Sequence, residues 1–256
     1  GHTLIYTPTH LSNLDSPLIG FALSESNLPP VIYGAGLNLF SNPLMAFFMS
    51  RLGAYTVDRR KKNALYKDVL KDYSIEAVRR GCHSLFFPGG TRSRSGRIET
   101  RLKKGLLGTA ISAWQESLAD GKNSCETLFV PCTLSFSLTL EAETLIDDAL
   151  SEEGQSRYII SDDEFSEARE VAAFARNSLN MDSSVYIRFG EPMDVVGNPV
   201  DGNGTSLGPG GDPIDRREYV TDRYGTVVQD SQRDMVYTRI LSERIAKAYQ
   251  RDNIAL

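Results

Sequence analysis

The sequence predicts an α/β fold, a central mixed, largely parallel sheet with helices on its faces. Short runs rich in β-branched and aromatic residues recur along the chain, and helical patterns alternate with them. No apolar run approaches the roughly 20 residues that would span a bilayer. At 256 residues, with 41% hydrophobic and 24% charged side chains, the chain has ordinary globular composition. It is expected to form a single domain over residues 1–256. Because Gly1 is followed almost at once by a strand, an upstream segment is expected to be missing.

The elements follow in order. TLIYT (3–7) is a predicted strand, Ser16–Ser26 a helix and VIYG (31–34) a strand. Asn42–Leu52 is a helix with Asn42 placed to cap it, Pro43 at its first turn and Gly53 past its end. YTV (55–57) is a strand, and Ala64–Arg80 an amphipathic helix closed by Gly81. SLFF (84–87), TLFVP (127–131) and VYIRFG (185–190) are strands; Lys104–Ala119, Phe165–Leu179 and Asp230–Tyr249 are helices. The stretch VGNPVDGNGTSLGPGGDPIDRRE (196–218) is rich in Gly, Pro, Asn and Asp. It cannot bury much apolar surface and is expected as part of a surface loop insertion over 196–230. No internal repeat is visible.

The net charge of −5 hides an asymmetry. Residues 1–50 carry two acids and no Lys or Arg, giving −2; residues 51–104 carry 15 cations and 5 acids, giving +10; residues 105–256 carry 13 and 26, giving −13. A basic block inside an acidic chain implies an anionic ligand or surface. The candidates are a phosphate, coenzyme A, acyl carrier protein, an anionic lipid or a nucleic acid. A phosphate-binding GxxxxGK[ST] loop is absent, which argues against nucleotide hydrolysis. The block lacks aromatic interleaving, so no nucleic-acid partner is expected. Cys82, Cys125 and Cys132 have neither metal-site nor disulfide-framework spacing and are expected as reduced, buried thiols; no metal site is expected.

Three stretches carry chemistry. HLSNLD places His10 and Asp15 five residues apart just beyond a strand. Taken alone, it is either a turn in which Asp15 caps the following helix, or a base with its orienting acid. FFPGGTRSRSGR (86–97) runs a strand into two glycines, then interleaves Arg92, Arg94 and Arg97 with small residues. Glycines let backbone amides approach an anion, and guanidiniums grip phosphate with two hydrogen bonds. Arg101, Lys103 and Lys104 follow. GAYTVDRR (53–60) sets Arg59 and Arg60 at the end of a strand. Of the other histidines, His2 is expected to be terminal and mobile, and His83 structural.

The order HLSNLD, GAYTVDR, FPGGTRSRSGR and VPCTLSF (130–136) resembles the four-block pattern of the HxxxxD glycerolipid acyltransferase family, closest to its bacterial glycerol-3-phosphate acyltransferases. The resemblance runs from about residue 3 to about 146. It implies a glycerol-3-phosphate acyltransferase-like fold and transfer of a fatty acyl group from acyl-CoA or acyl-ACP to the sn-1 hydroxyl of glycerol 3-phosphate, the first step of phospholipid synthesis. No cofactor is implied beyond the acyl co-substrate. His10 would be the general base and Asp15 its orienting acid. Arg59, Gly90, Thr91, Arg92, Ser93 and Arg94 would hold the acceptor's phosphate, and Pro131 would mark the acyl-donor side. Lysophosphatidate and dihydroxyacetone phosphate are alternative acceptors, and a non-catalytic lipid-binding relative is the alternative to an enzyme.

One departure stands out. The family usually has Glu where this chain has Gly89. Either a neighbour takes over that carboxylate's role, activity is weakened, or catalysis has been lost.

The chemistry fits the residues. A hydroxyl attacking a thioester must lose its proton, and a histidine near neutral pKa does this well. A thioester is reactive enough for direct attack by that hydroxyl. A lipid product requires a site that opens towards a bilayer. Asn42–Leu52 is apolar on most sides and is followed by basic residues. It is expected either to pack in the core or to contact the membrane. The expected location is cytoplasmic, peripheral on the inner face of the cell membrane.

Overall fold

A computed structural model describes residues 1–12, 15–41, 43–58, 60–61, 63–90, 98–121, 126–137 and 184–254. The strands are β1 (Thr3–Pro8), β2 (Ile32–Gly36), β3 (Ala54–Val57), β4 (Ser84–Leu85), β5 (Thr127–Phe136), β6 (Val185–Phe189) and β7 (Met193–Asp194). The helices are α1 (Asp15–Glu25), α2 (Pro43–Arg51), α3 (Ala64–Arg79), α4 (Lys104–Ala119) and α5 (Ser231–Asp252). The expected helix at 165–179 and the Asn42 cap lie outside the described residues.

The expected α/β architecture is the one observed. The sheet runs β3-β2-β4-β1-β5-β6, with β7 also on β5. The first five of these strands are parallel, and β6 and β7 pair antiparallel to β5. Side chains alternate across a strand, so β1 and β5 feed both faces. Ile5 and Phe129 face a core built with Leu107, Ile111 and Trp114 of α4 and Leu241, Ile245 and Tyr249 of α5. Tyr6, Val130 and Leu134 face the other core, closed by Ile19 and Leu23 of α1.

Two strands differ from expectation in length. SLFF forms strand only at Ser84–Leu85, because Pro88 has no N–H to extend a ladder and the chain turns, with the Gly90 N–H donating to Phe87 O at 3.0 Å. β5 runs on to Phe136, since β6 pairs with its second half from Cys132 onward.

The segment after β7 is more ordered than its composition suggests. Four turns recur, over 194–198, 201–205, 208–212 and 222–226. In each, a glycine at the fourth position (197, 204, 211 and 225) has positive φ and donates its N–H to the first residue's carbonyl at 3.0 Å. The first three turns are seven residues apart, a short repeat marked in the sequence by glycine at the fourth place and Val, Leu or Ile at the seventh, and not anticipated above. Val195, Val196 and Val220 enter the core. Asp194, fully buried, accepts from the Val196 and Asn198 amides, Asn198 Nδ2 and Ser206 Oγ at 2.7–3.0 Å. His2, expected to be mobile, is engaged here instead. Its Nε2 lies 3.0 Å from Asn203 O and its Nδ1 3.0 Å from a Glu126 carboxylate oxygen.

Candidate active site

β1 and β4 are neighbours in register, Ile5 beside Ser84 and Tyr6 beside Leu85. The loops leaving their C-terminal ends therefore emerge side by side, where sites collect in open α/β sheets. The first loop carries His10 and the second carries Phe87. The two rings stack with centroids 4.0 Å apart and planes 23° from parallel. Thr9 anchors the first loop to β5: its N–H donates to Cys132 O at 3.0 Å, and its hydroxyl accepts from the Leu134 N–H at 3.1 Å.

His10 Nδ1 lies 2.8 Å from Asp15 Oδ2. That oxygen also accepts the Leu11 and Ser12 amides at 2.7 and 2.9 Å. The Asp15 carboxylate is fully buried. Asp15 is itself the first residue of α1, and its side chain reaches back into the preceding loop rather than forward to cap the helix. Of the two arrangements open to HLSNLD, the structure has Asp15 paired with His10 and the loop amides. A neutral imidazole whose Nδ1 faces a carboxylate carries its proton there, which leaves the Nε2 lone pair free to accept one.

Gly90 closes the second loop at φ +82°, a left-handed conformation that an L side chain rarely adopts. Of the other residues expected to bind substrate, Arg59, Thr91, Arg92, Ser93 and Arg94 lie outside the described residues. Pro131 is buried in β5 beside Thr7, three residues before His10, and its carbonyl accepts the Gly190 N–H at 2.7 Å. Arg60 folds back onto its neighbour, donating Nε and its own N–H to Asp58 Oδ1 at 3.2 and 3.1 Å. Cys132 is fully buried, and burial pushes its thiol far above the ordinary range, which disqualifies it as a nucleophile. His83 is structural: its Nδ1 accepts the Leu4 N–H at 3.0 Å, and burial lowers its pKa. Among the described residues no group of His, Cys, Asp and Glu is arranged to hold a metal ion.

Residues 1–135, which contain every element of this site, match the Acyltransferase family model. The chain belongs to the Acyltransferase family. It is 27% identical over 198 residues to a glycerol-3-phosphate acyltransferase of Pseudomonas putida (strain W619), covering 77% of this chain and 22% of that protein. It is 30% identical over 196 residues to the glycerol-3-phosphate acyltransferase of Haemophilus ducreyi, covering 76% and 22%. The chain thus spans under a quarter of the length of the curated relatives it matches. Among solved structures, the 1-acyl-sn-glycerophosphate (LPA) acyltransferase of Thermotoga maritima superposes with a TM-score of 0.46 at 14% identity, over 100% of this chain and 69% of that one.

Two residues of this acyltransferase chain that sequence reasoning did not assign to the site fold back over its glycine pair. A Cβ at Gly89 would overlap the Glu99 carboxyl, and one at Gly90 would overlap the end of the Lys103 side chain. The Lys103 N–H donates to Pro88 O at 2.7 Å, tying this return segment to the turn. Both Glu99 carboxyl oxygens are buried and meet no donor with hydrogen-bond geometry among the described residues, nor does Asp15 Oδ1. Burial raises the Glu99 pKa to about 7; the nearby His10 backbone N–H offsets part of that shift, and the Asp15 charge adds to it. The missing carboxylate at 89 was the signal that could have led to Glu99, but a ten-residue separation conceals their proximity.

Proposed function

We propose that this chain is the catalytic domain of an O-acyltransferase that moves a fatty acyl group from acyl-CoA or acyl-ACP to the sn-1 hydroxyl of glycerol 3-phosphate. The observation that carries this reading is the 2.8 Å His10–Asp15 pair on a carboxylate fixed by two backbone amides. His10 Nε2 takes the acceptor's hydroxyl proton as its oxygen attacks the thioester carbonyl. Asp15 stabilises the imidazolium that forms. When the tetrahedral intermediate collapses, the carbon–sulfur bond breaks and the imidazolium returns the proton to the departing thiolate. General-base help of this kind is worth roughly 10²–10⁴-fold. Holding the acceptor in place supplies much of the rest, a task for the basic loop with Arg92 and Arg94 and for Arg59.

Glycerol 3-phosphate is favoured as acceptor by the names of the relatives at 27–30% identity. Contact with a membrane surface on its cytoplasmic side belongs to the same proposal. Phe47 and Phe48 of α2 and Leu52 just beyond it are 50–63% exposed, which favours the membrane-contact alternative for this helix over full core packing. Arg51 lies over the Phe47 ring at 3.7 Å, placing a cation beside that apolar patch. No described helix is long and apolar enough to cross a membrane.

The deciding assay offers glycerol 3-phosphate, dihydroxyacetone phosphate and lysophosphatidate in parallel with palmitoyl-CoA. The proposal expects the highest kcat/KM with glycerol 3-phosphate. A higher value with lysophosphatidate would reassign the acceptor, and binding of ligands without turnover of any would favour a non-catalytic relative.

A further inference from the structure

Gly89 leaves open a space beside the base, and another side chain fills it. Glu99, ten residues on, lays its carboxyl where the Cβ of residue 89 would stand. Phe87, two residues before Gly89, carries the His10 ring, and the backbone N–H of His10 lies close enough to the Glu99 carboxyl to influence its ionisation. The Asp15 carboxylate and the Tyr249 phenol also sense its charge. Tyr249 in turn donates to Thr7 O at 2.8 Å, on the strand that leads into His10. Glu99 therefore sits on Gly89 with the His10 backbone, the Asp15 carboxylate and the Tyr249 phenol close by.

Among the described residues neither oxygen of this carboxyl meets a donor at hydrogen-bond geometry, the His10 N–H standing only nearby; burying such a group is costly and calls for an explanation. Substrate contact does not supply one, because both oxygens are sealed from solvent in this structure. A glycine at 89 is a further sign: any side chain there would displace Glu99. We propose that Glu99 is a positioning residue of the acyl-transfer site, its carboxyl seated on Gly89 to fix the His10–Asp15 turn against the Phe87–Gly90 turn. It supplies, from ten residues downstream, the carboxyl that the chain lacks at position 89.

The inference rests on the acyl-transfer reading, so its test combines kinetics with a readout that needs no turnover. The variants are Glu99→Ala, Glu99→Gln and the double variant Gly89→Glu/Glu99→Ala, which moves the carboxyl's point of attachment while keeping it near the same place. Glu99→Ala is expected to lower kcat by about tenfold or more, with the acceptor KM changed less than about threefold. The double variant is expected to recover to within about fivefold of the natural chain. In substrate-free protein the His10 ring ¹⁵N signals should move in Glu99→Ala and return towards their original positions in the double variant.

Glu99→Ala with a kcat within about twofold of the natural chain would overturn the proposal. So would a cooperatively melting double variant no more active than Glu99→Ala, or His10 signals unmoved by the alanine. Where the alanine or the double variant loses its cooperative melt, Glu99→Gln decides: a kcat lowered about fivefold or more at unchanged acceptor KM supports the role, and an unchanged kcat overturns it. A natural chain that turns over no acceptor would count against the proposed function alone, since the His10 signals still decide for Glu99.

Discussion

Asp15 Oδ2 accepts the Leu11 and Ser12 amides and meets His10 Nδ1 at 2.8 Å, so one oxygen both shapes the turn and orients the His10 ring. Asp15→Asn therefore damages two things at once. An amide cannot accept from both backbone N–H groups and stabilise an imidazolium as a carboxylate does. The expected loss in kcat is on the order of 10²–10⁴-fold. Thermal melting should also show destabilisation on the order of 1–3 kcal/mol from the weakened turn.

Phe87 supports the His10 ring from beneath at 4.0 Å. An aromatic stack of this kind is worth about 0.5–1.5 kcal/mol beyond its buried area. Phe87→Leu keeps much of the apolar volume but loses the flat platform. We expect kcat to fall roughly threefold to tenfold, with the acceptor KM nearly unchanged. Steady-state kinetics separate this from a loss of binding, which would appear in KM.

Glu99 gives the protein a pH signature. Its carboxyl pKa is about 7 in the fold, above the ordinary value of 4.5. Between these values the folded chain holds a proton that the unfolded chain has released. Its contribution to stability is therefore fully present below about pH 4.5 and is lost as the pH rises through about 7. Allowing for the residue's partial exposure, the change is on the order of 1–2 kcal/mol. Urea unfolding at pH 5 and pH 8 should show a larger drop for the natural chain than for Glu99→Gln, whose side chain does not titrate. Equal drops would mean that the carboxyl titrates normally.

Exposed Phe47 and Phe48 predict binding to a lipid surface. Phe47→Ser/Phe48→Ser should weaken sedimentation with anionic phospholipid vesicles by about tenfold or more, since each ring contributes apolar area to insertion. Melting of the free protein should change little, because both rings are at least half exposed. Unchanged vesicle binding would assign the contact to another surface.

Much of this was legible from local pattern. The strand at Thr3–Pro8 and the helix at Lys104–Ala119 announce themselves by β-branched content and by periodicity, and both stand where the sequence puts them. HLSNLD alone left two readings open; the proximity of His10 and Asp15 was legible because residues five apart across a helix start lie near in space, and their roles came only from the resemblance of the four ordered blocks. What escaped depends on non-local contacts. Nothing local connects Glu99 to Gly89, which are ten residues apart in sequence and meet only in the fold. The turns at 194–226 share an initial Asp in three of the four, a glycine at the fourth place and an aliphatic residue at the seventh, and each Asp side chain accepts the amides two and four residues on, but the Gly- and Pro-rich composition around them masks the pattern. Val195 and Val196 within the first of those turns, and Val220 at the end of the short 3-10 helix Arg216–Tyr219, are core residues despite the surrounding Gly, Pro and Asp.

The most direct test of the central claim is release of coenzyme A from palmitoyl-CoA in the presence of glycerol 3-phosphate, compared between the natural chain and His10→Ala. If His10 is the base held by Asp15, acceptor-dependent release should fall by about 10²–10⁴-fold in the variant while its melting temperature stays close to that of the natural chain. Release within about threefold of the natural rate, in a folded variant, would contradict it.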